Sequence, residues 1–377
     1  MKAIINATLV MPDHLIPQGI VVIENGRIVD YGKKIHTDGM EIYDAKGAYL
    51  GPGLIDIHTH SDGETFFTED PIKVSETLLS HGVTDVLAAL YFSADRETLV
   101  GQIKQLKEAA GRTKNLRGLY MEAPYMNPKF GCNRENNPWR HSIRREDYLP
   151  VIEAAKGFAR VWVVAPEREG IEGFVRDVKA MDPDAVFSVG HSEAEPHQIE
   201  ALMPYGLKLA THHTNATGTL QKYPECRAAC VDETALYNDS IYTELICDKV
   251  GIHVAPYMLR LVKKIKGDDR IILISDAFVD HGPIPSDDLH EGADDINFDF
   301  SGEIAGSKMI LDGPCRNMMV HTGASLCQVF KYASTNPATL LGMTDRGKIA
   351  KGNVANLMLV DAEFHIKSVF LAGEQIK

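Results

Sequence analysis

The chain has 377 residues, 44% of them hydrophobic and 24% charged, which supplies a sizeable apolar core and exceeds what one small domain needs. Its formal net charge is −13, from 39 Lys and Arg against 52 Asp and Glu, a balance that repels nucleic acid and anionic membrane and argues against both as partners. A small anionic substrate stays open, because a single pocket can be locally positive.

The first fifty residues read as strands and turns. In "GIVVIENGRIVDYG" two β-branched runs flank Asn25-Gly26, a hairpin signal because both turn positions tolerate positive φ. From Gly53 the texture changes. Short apolar runs alternate with longer segments of helical period: LIDIH (54–58), VTDVLAALYF (83–92), LRGLYME (116–122), ARVWVVAP (159–166), AVFSVGH (185–191), LKLATHH (207–213), IYTELIC (241–247) and IILISD (271–276). Between them lie candidate helices such as PIKVSETLLSHG, RETLVGQIKQLKEAAG and EGIEGFVRDVKAM. A loop rich in Asp and Gly (280–303) and a helical stretch (316–334) follow, and β texture returns in "GNVANLMLVDAEFHIKSVFLAGEQIK". Eight apolar runs with interposed helices predict an α/β fold, a (β/α)8 TIM barrel over residues 51–349. The two ends resemble each other and differ from the middle. They are expected to form one small β-sandwich domain from residues 1–50 plus 350–377.

The six cysteines, at 132, 226, 230, 247, 315 and 327, contain no CxxC pair and read as free thiols of a reducing compartment. The opening "MKAIINATLVMPDH" has a short, broken apolar stretch with no cleavage site, and no run approaches the roughly 18 apolar residues of a membrane helix. A cytoplasmic protein is expected.

Barrel active sites form where strands end at the C-terminal face. Here run one ends in His58 and His60, run three in Glu122, run five in His191, run six in His212 and His213, and run eight in Asp276. Residues i and i+2 of a strand share a face, so His58 and His60 can reach one centre while Thr59 points away. Imidazole and carboxylate suit zinc or ferrous iron. Each residue has a plainer reading: a hydrogen-bonded histidine, a salt-bridging Glu122, or a helix cap at Asp276. Five strands ending in ligand-type residues at one mouth favour a metal site over five accidents.

At these residues the sequence resembles the amidohydrolase superfamily, and within it the N-acetylglucosamine-6-phosphate deacetylases. The matching stretches are "GPGLIDIHTH", "MEAPYMNP", "GHSEA", "THHTNA", "GIHV", "SDA", "IAGS" and "NPATLLGMTDRGKIAKGNVANLMLVD". A rival group bridges its metals with a carbamylated lysine on strand four, but "ARVWVVAPE" has no Lys near its end. The resemblance implies that Glu122, His191 and His212 hold one divalent metal, zinc or iron. His58 and His60, with Glu122 bridging and Asp276 assisting, are then the ligands of a second, and one or two ions are open. His213 is expected to be structural. Asp276 is the implied catalytic acid/base, taking a proton from water acidified by the metal and delivering it to the departing amine. His253, Asn215 and Ala216 are implied substrate contacts, and a homodimer is implied as well. The implied substrate is an N-acetyl amino sugar bearing a phosphate.

Three departures stand out. The strand-three motif reads Glu122-Ala123-Pro124 where the family has Glu-Gly-Pro. The family's sugar-contacting histidine is replaced by Cys132, Asn133 and Arg134. The phosphate-binding arginine has no counterpart, Lys222 falling nearest with Arg227 a few residues on. Lysine is a point charge without the bidentate fork of arginine. Two other readings remain: a different amidohydrolase reaction on the same metal site, such as deamination or cyclic-amide hydrolysis, and a barrel that has lost catalysis and serves only in binding.

Overall fold

A computed structural model describes residues 1–286 and 288–377. Eight parallel strands form one sheet in chain order: Leu54–Thr59, Val83–Tyr91, Leu116–Glu122, Ala159–Val164, Val186–Val189, Leu207–Ala210, Tyr242–Ile246 and Ile271–Ile274. Strand eight returns to strand one, where Asp276 N–H donates to the His58 carbonyl and His60 N–H to that of Ala277, each at 2.9 Å. Inside the barrel, Ser275 Oγ donates to Asp56 Oδ2 across the same seam at 2.6 Å. The sheet is thereby closed as a TIM barrel.

Each strand is followed by a helix: Pro71–Ser80, Arg96–Ala109, Arg145–Ala155, Ile171–Met181, Pro196–Leu202, Val231–Tyr237, Pro256–Lys266 and Asp312–Thr322. The second shows how the sequence writes one. Asp95 caps its start by accepting from Thr98 N–H at 2.8 Å, and Leu99, Ile103 and Leu106 fall on one buried face at a helical repeat. Burying each of those side chains is worth about 1.5–3 kcal/mol.

The two ends of the chain share a second sheet. Lys2–Val10 pairs with Leu15–Glu24, which pairs with Arg27–Gly32 through the Asn25-Gly26 turn, both residues at positive φ as that turn requires. The first strand then divides: Lys2–Ile5 pairs with Glu41–Asp44, and Thr8 and Leu9 with Tyr49 and Leu50. Tyr49–Pro52 joins the C-terminal strand Leu357–Val360, which leads on to Ile366–Leu371 and Glu374–Gln375. A separate core of Ile4, Leu9, Val21, Ile28, Leu50, Leu357 and Phe370 packs on this sheet. The first barrel strand begins at Leu54, two residues after Pro52, so the terminal sheet leads directly into the strand that carries His58.

The Asp- and Gly-rich stretch holds an element its composition conceals. Ile296–Phe298 and Ile304–Ser307 form a two-stranded hairpin pinned to the end of strand eight, with Ser307 N–H donating to the Asp276 carbonyl at 2.8 Å. All six cysteines are free. Among the described residues no helix is long and apolar enough to cross a membrane.

Candidate metal centre and cavity

Glu122 closes strand three with its side chain buried, and each of its oxygens faces a different pair of imidazoles. Oε1 lies 2.9 Å from His191 Nε2 and 3.1 Å from His212 Nε2, and those two nitrogens are 3.0 Å apart. Oε2 lies 3.1 Å from His60 Nε2 and 3.7 Å from His58 Nε2. Asp276 Oδ1 stands 3.5 Å from both of the latter nitrogens. Two clusters with metal-ligand spacing therefore share one carboxylate, Glu122–His191–His212 and His58–His60–Glu122.

Sequence alternation accounts for His58 and His60, which lie within and one residue past the first barrel strand and face the same two carboxylates. His191, His212 and Asp276 sit two residues past the ends of strands five, six and eight, at φ values of 35°, 25° and 45°. Non-glycine residues in this left-handed region carry strain of about 1–3 kcal/mol each and persist where surrounding contacts hold them. Those contacts are visible here. Asn127 N–H donates to the His191 carbonyl at 2.7 Å. The Glu167 carboxylate accepts from Ser192 Oγ, Glu193 N–H and Asn127 Nδ2 at 2.7–2.9 Å.

A second layer fixes the rings. Glu244, fully buried on strand seven, accepts at Oε2 from His58 Nδ1 at 3.2 Å, Tyr120 OH at 3.1 Å and His212 N–H at 3.1 Å. His212 Nδ1 donates to the Asn215 carbonyl at 3.1 Å. Both contacts put the proton on Nδ1 and turn a lone pair on Nε2 toward the shared centre. Tyr120 stacks on His58 with ring centroids 4.0 Å apart.

The electrostatics suit a cation. Burial raises the Glu122 carboxyl, but His191, His212, His58 and His60 outweigh it and hold it well below its ordinary range. Burial likewise raises Asp276, yet His58 and His60 bring it down to about 2. His58 is driven the other way: burial lowers it, and Asp276, Glu122 and Glu244 together push it well above its usual value. Among the described residues His58 Nε2, a buried ring nitrogen turned toward two carboxylates, has no hydrogen-bond partner. That orphan and the crowding of two Nε2 atoms on one oxygen fit a divalent metal held by imidazole and carboxylate.

The centre opens into a cavity of about 350 Å³, within the range of about 300–1,000 Å³ usual for small-molecule sites. His253, Asn215 and Ala216 line it beside the clusters. His253 Nδ1 donates to Asp248 Oδ2 at 3.2 Å, and its buried Nε2 has no hydrogen-bond partner among the described residues. Lys222 and Arg227 do not line this cavity within the single chain. They lie on an exposed two-stranded turn, Gln221–Tyr223 with Cys226–Arg227, and Arg227 is bound to Glu233 at 2.9 Å. His213 lies apart from both clusters, buried, with Nδ1 3.4 Å from Asp232.

Sequence reasoning missed Tyr91, Phe278, Glu244 and the pair Arg134–Glu303. Phe278 and Tyr91 meet the His60 ring edge-on at 5.1 and 5.8 Å. Glu244 had a signal, a carboxylate inside the apolar run IYTELIC, since such a group is buried only with partners.

A model of the amidohydrolase family matches residues 49–376. The chain belongs to the amidohydrolase family. It is 27% identical to an N-acetylglucosamine-6-phosphate deacetylase of Bacillus subtilis (strain 168), over 95% of this chain and 92% of that one. It is 26% identical to an N-acetylgalactosamine-6-phosphate deacetylase of Escherichia coli O157:H7, over 86% and 87%. The crystal structure of N-acetylglucosamine-6-phosphate deacetylase from Thermotoga maritima superposes with a TM-score of 0.83 at 26% identity, covering 100% of this chain and 99% of that one. This amidohydrolase is accordingly a metal-dependent hydrolase of carbon–nitrogen bonds, and the two clusters above are groups that could hold a metal ion.

Proposed function

We propose that this amidohydrolase removes the acetyl group from an N-acetyl amino sugar phosphate, N-acetylglucosamine-6-phosphate first, to give glucosamine-6-phosphate and acetate. The observation that carries the reading is the convergence of two histidine pairs on Glu122 with Asp276 alongside, in a chain that aligns end to end with sugar-phosphate deacetylases. Glu122, His191 and His212 are the proposed ligands of one ion and His58, His60 and Glu122 those of a second. Zinc or ferrous iron matches the donors. A divalent ion held there acidifies water and polarises the amide carbonyl.

The chain's own residues do the rest. Asp276, ionised at neutral pH, takes the proton of the attacking water and passes it to the amine nitrogen as the C–N bond breaks. With Nδ1 donating to Asp248, His253 offers Nε2 as an acceptor for a sugar hydroxyl. Asn215 and Ala216 border the place for the rest of the sugar. Glu244 and the Asn215 carbonyl keep the rings of His58 and His212 in register.

The E. coli relative acts on the galacto epimer, so the test uses both. Acetate release is measured from N-acetylglucosamine-6-phosphate, N-acetylgalactosamine-6-phosphate and the two unphosphorylated sugars, with zinc and with ferrous iron. Turnover of none would defeat the deacetylase reading and favour another amidohydrolase reaction. We further propose a homodimer, as the family resemblance implies, which sedimentation checks. Six free thiols favour the cytoplasm, which fractionation of the source cells checks.

A further inference from the structure

We propose that Arg134 is the receptor for the anionic end of the substrate, with Glu303 as its resting partner. The proposal rests on the sugar-phosphate reading above and names the residue that performs a task the sequence assigned to Lys222 or Arg227. Among the described residues, Arg134 is the one Lys or Arg that lines the cavity of the metal centre. Its guanidinium holds Glu303 through two parallel bonds, Nη1 to Oε2 at 2.6 Å and Nη2 to Oε1 at 2.8 Å. Phosphate oxygens match the same fork.

Both partners are held from behind. Asn133, at φ 54°, turns the chain before Arg134, whose Nη1 also donates to the Gly131 carbonyl at 3.2 Å. Gly131 packs so closely on the metal-side imidazole that a Cβ there would lie 2.9 Å from His191 Nδ1. Arg134 is thus tied to the wall of the centre. Glu303 belongs to the hairpin beside strand eight, its N–H donating to Asp299 Oδ1 at 2.9 Å and its carbonyl accepting from Asp299 N–H at 2.9 Å. About two fifths of each side chain is exposed, 41% and 44%, so the pair is a weak surface-type contact that another anion can replace. A phosphate monoester carries about −1.5 to −2 charge against −1 for the carboxylate, and it competes well for the fork. The amino-sugar end then lies at the metal centre and the phosphate at the rim.

Steady-state kinetics on metal-loaded protein test this with matched phosphorylated and unphosphorylated N-acetyl sugars. Arg134→Ala is expected to raise KM for the phosphorylated substrate about 10- to 100-fold, the loss of one charge-assisted pair, with a far smaller rise for its counterpart. Equal factors on both substrates overturn the proposal, as does Lys222→Ala carrying the phosphate discrimination instead. Glu303→Gln is expected to lower KM for the phosphorylated substrate by about 2- to 5-fold, because the fork is released from a competing anion; an unchanged or raised KM removes Glu303 from the role. Calorimetry with inorganic phosphate on metal-free protein separates this proposal from the deacetylase reading. Binding to wild type that Arg134→Ala abolishes supports Arg134 even if no acetyl sugar is turned over. Equal binding to both proteins, or none to wild type, overturns it.

Discussion

Glu122, His191 and His212 reach their meeting point from three separate strands and are almost wholly buried, whereas Arg134 and Glu303 meet across two loops with two fifths of each exposed. At the clustered end the framework is a closed barrel, and the buried Glu244 carboxylate ties down His58 and His212. At the rim the groups are held by turns, and their pairing is cheap to exchange. Chemistry is thus fixed in the framework and selectivity is delegated to loops, which can change without disturbing the catalytic geometry.

The largest expected effect breaks the metal end. Glu122→Gln removes the one carboxylate both clusters share. Metal content by elemental analysis is expected to fall toward zero and acetate release by at least about 10³-fold. Full metal occupancy in this variant would mean that the clusters do not depend on Glu122. Asp276→Asn comes next: it keeps the shape, and metal is expected to stay while kcat drops by about 10²- to 10⁴-fold, the usual worth of a general acid/base. If turnover survives intact, the proton passes through another group.

Glu244→Gln sharpens the same side one layer out. The carboxylate contacts His58, Tyr120 and the backbone of His212 but lines no part of the cavity. Loss of its charge is expected to weaken metal affinity or activity by about 10- to 100-fold, the typical effect of an outer carboxylate. A competitive chelator titration reads the affinity directly, and an unaltered chelator midpoint together with unaltered turnover would make Glu244 a packing residue only.

How much of this was legible in the sequence follows the same division. The eight apolar runs end within a few residues of the observed strands, and the Asn25-Gly26 turn and the shared terminal sheet follow from alternation and turn chemistry. The convergence of Glu122, His191, His212, His58 and His60 is legible because strand ends converge by topology, whatever loops intervene. What alternation does not report is that His191, His212 and Asp276 lie beyond the regular strands at positive φ. Such a conformation is imposed by tertiary contacts such as Glu167 with Ser192, and no local pattern encodes it. Arg134 and Glu303 are 169 residues apart, and nothing in either local sequence announces the other. The hairpin carrying Glu303 was hidden because its strands are short and set among Asp and Gly.

A smaller effect separates structure from chemistry beside the cavity. Asp248 accepts from the N–H groups of Val250, Gly251, Ile252 and His253 at 2.5–3.1 Å and so shapes the turn that presents His253. Burial raises its carboxyl, but His253 and those amides prevail and lower it from 3.8 to about 2. A depressed folded-state value means stability that is present above the unfolded value near 3.8 and is lost as pH falls toward 2. Asp248→Asn is therefore expected to cost about 1–2 kcal/mol at pH 6 and progressively less below pH 4, measured by urea unfolding across that range. A gap that stays constant with pH would assign the loss to altered hydrogen bonding and not to charge.

The smallest predicted effect bears most directly on the division between framework and rim. Lys222 and Arg227 lie on an exposed turn, and within one chain neither lines the cavity. Lys222→Ala is accordingly expected to change KM for the phosphorylated sugar by about twofold or less, since an exposed charge acting through solvent contributes little. A tenfold rise confined to the phosphorylated substrate would move the anion site onto that turn. Because the turn lines no part of its own cavity, the cavity it then served would be that of a second copy, and the same measurement would make the proposed dimer part of the active site.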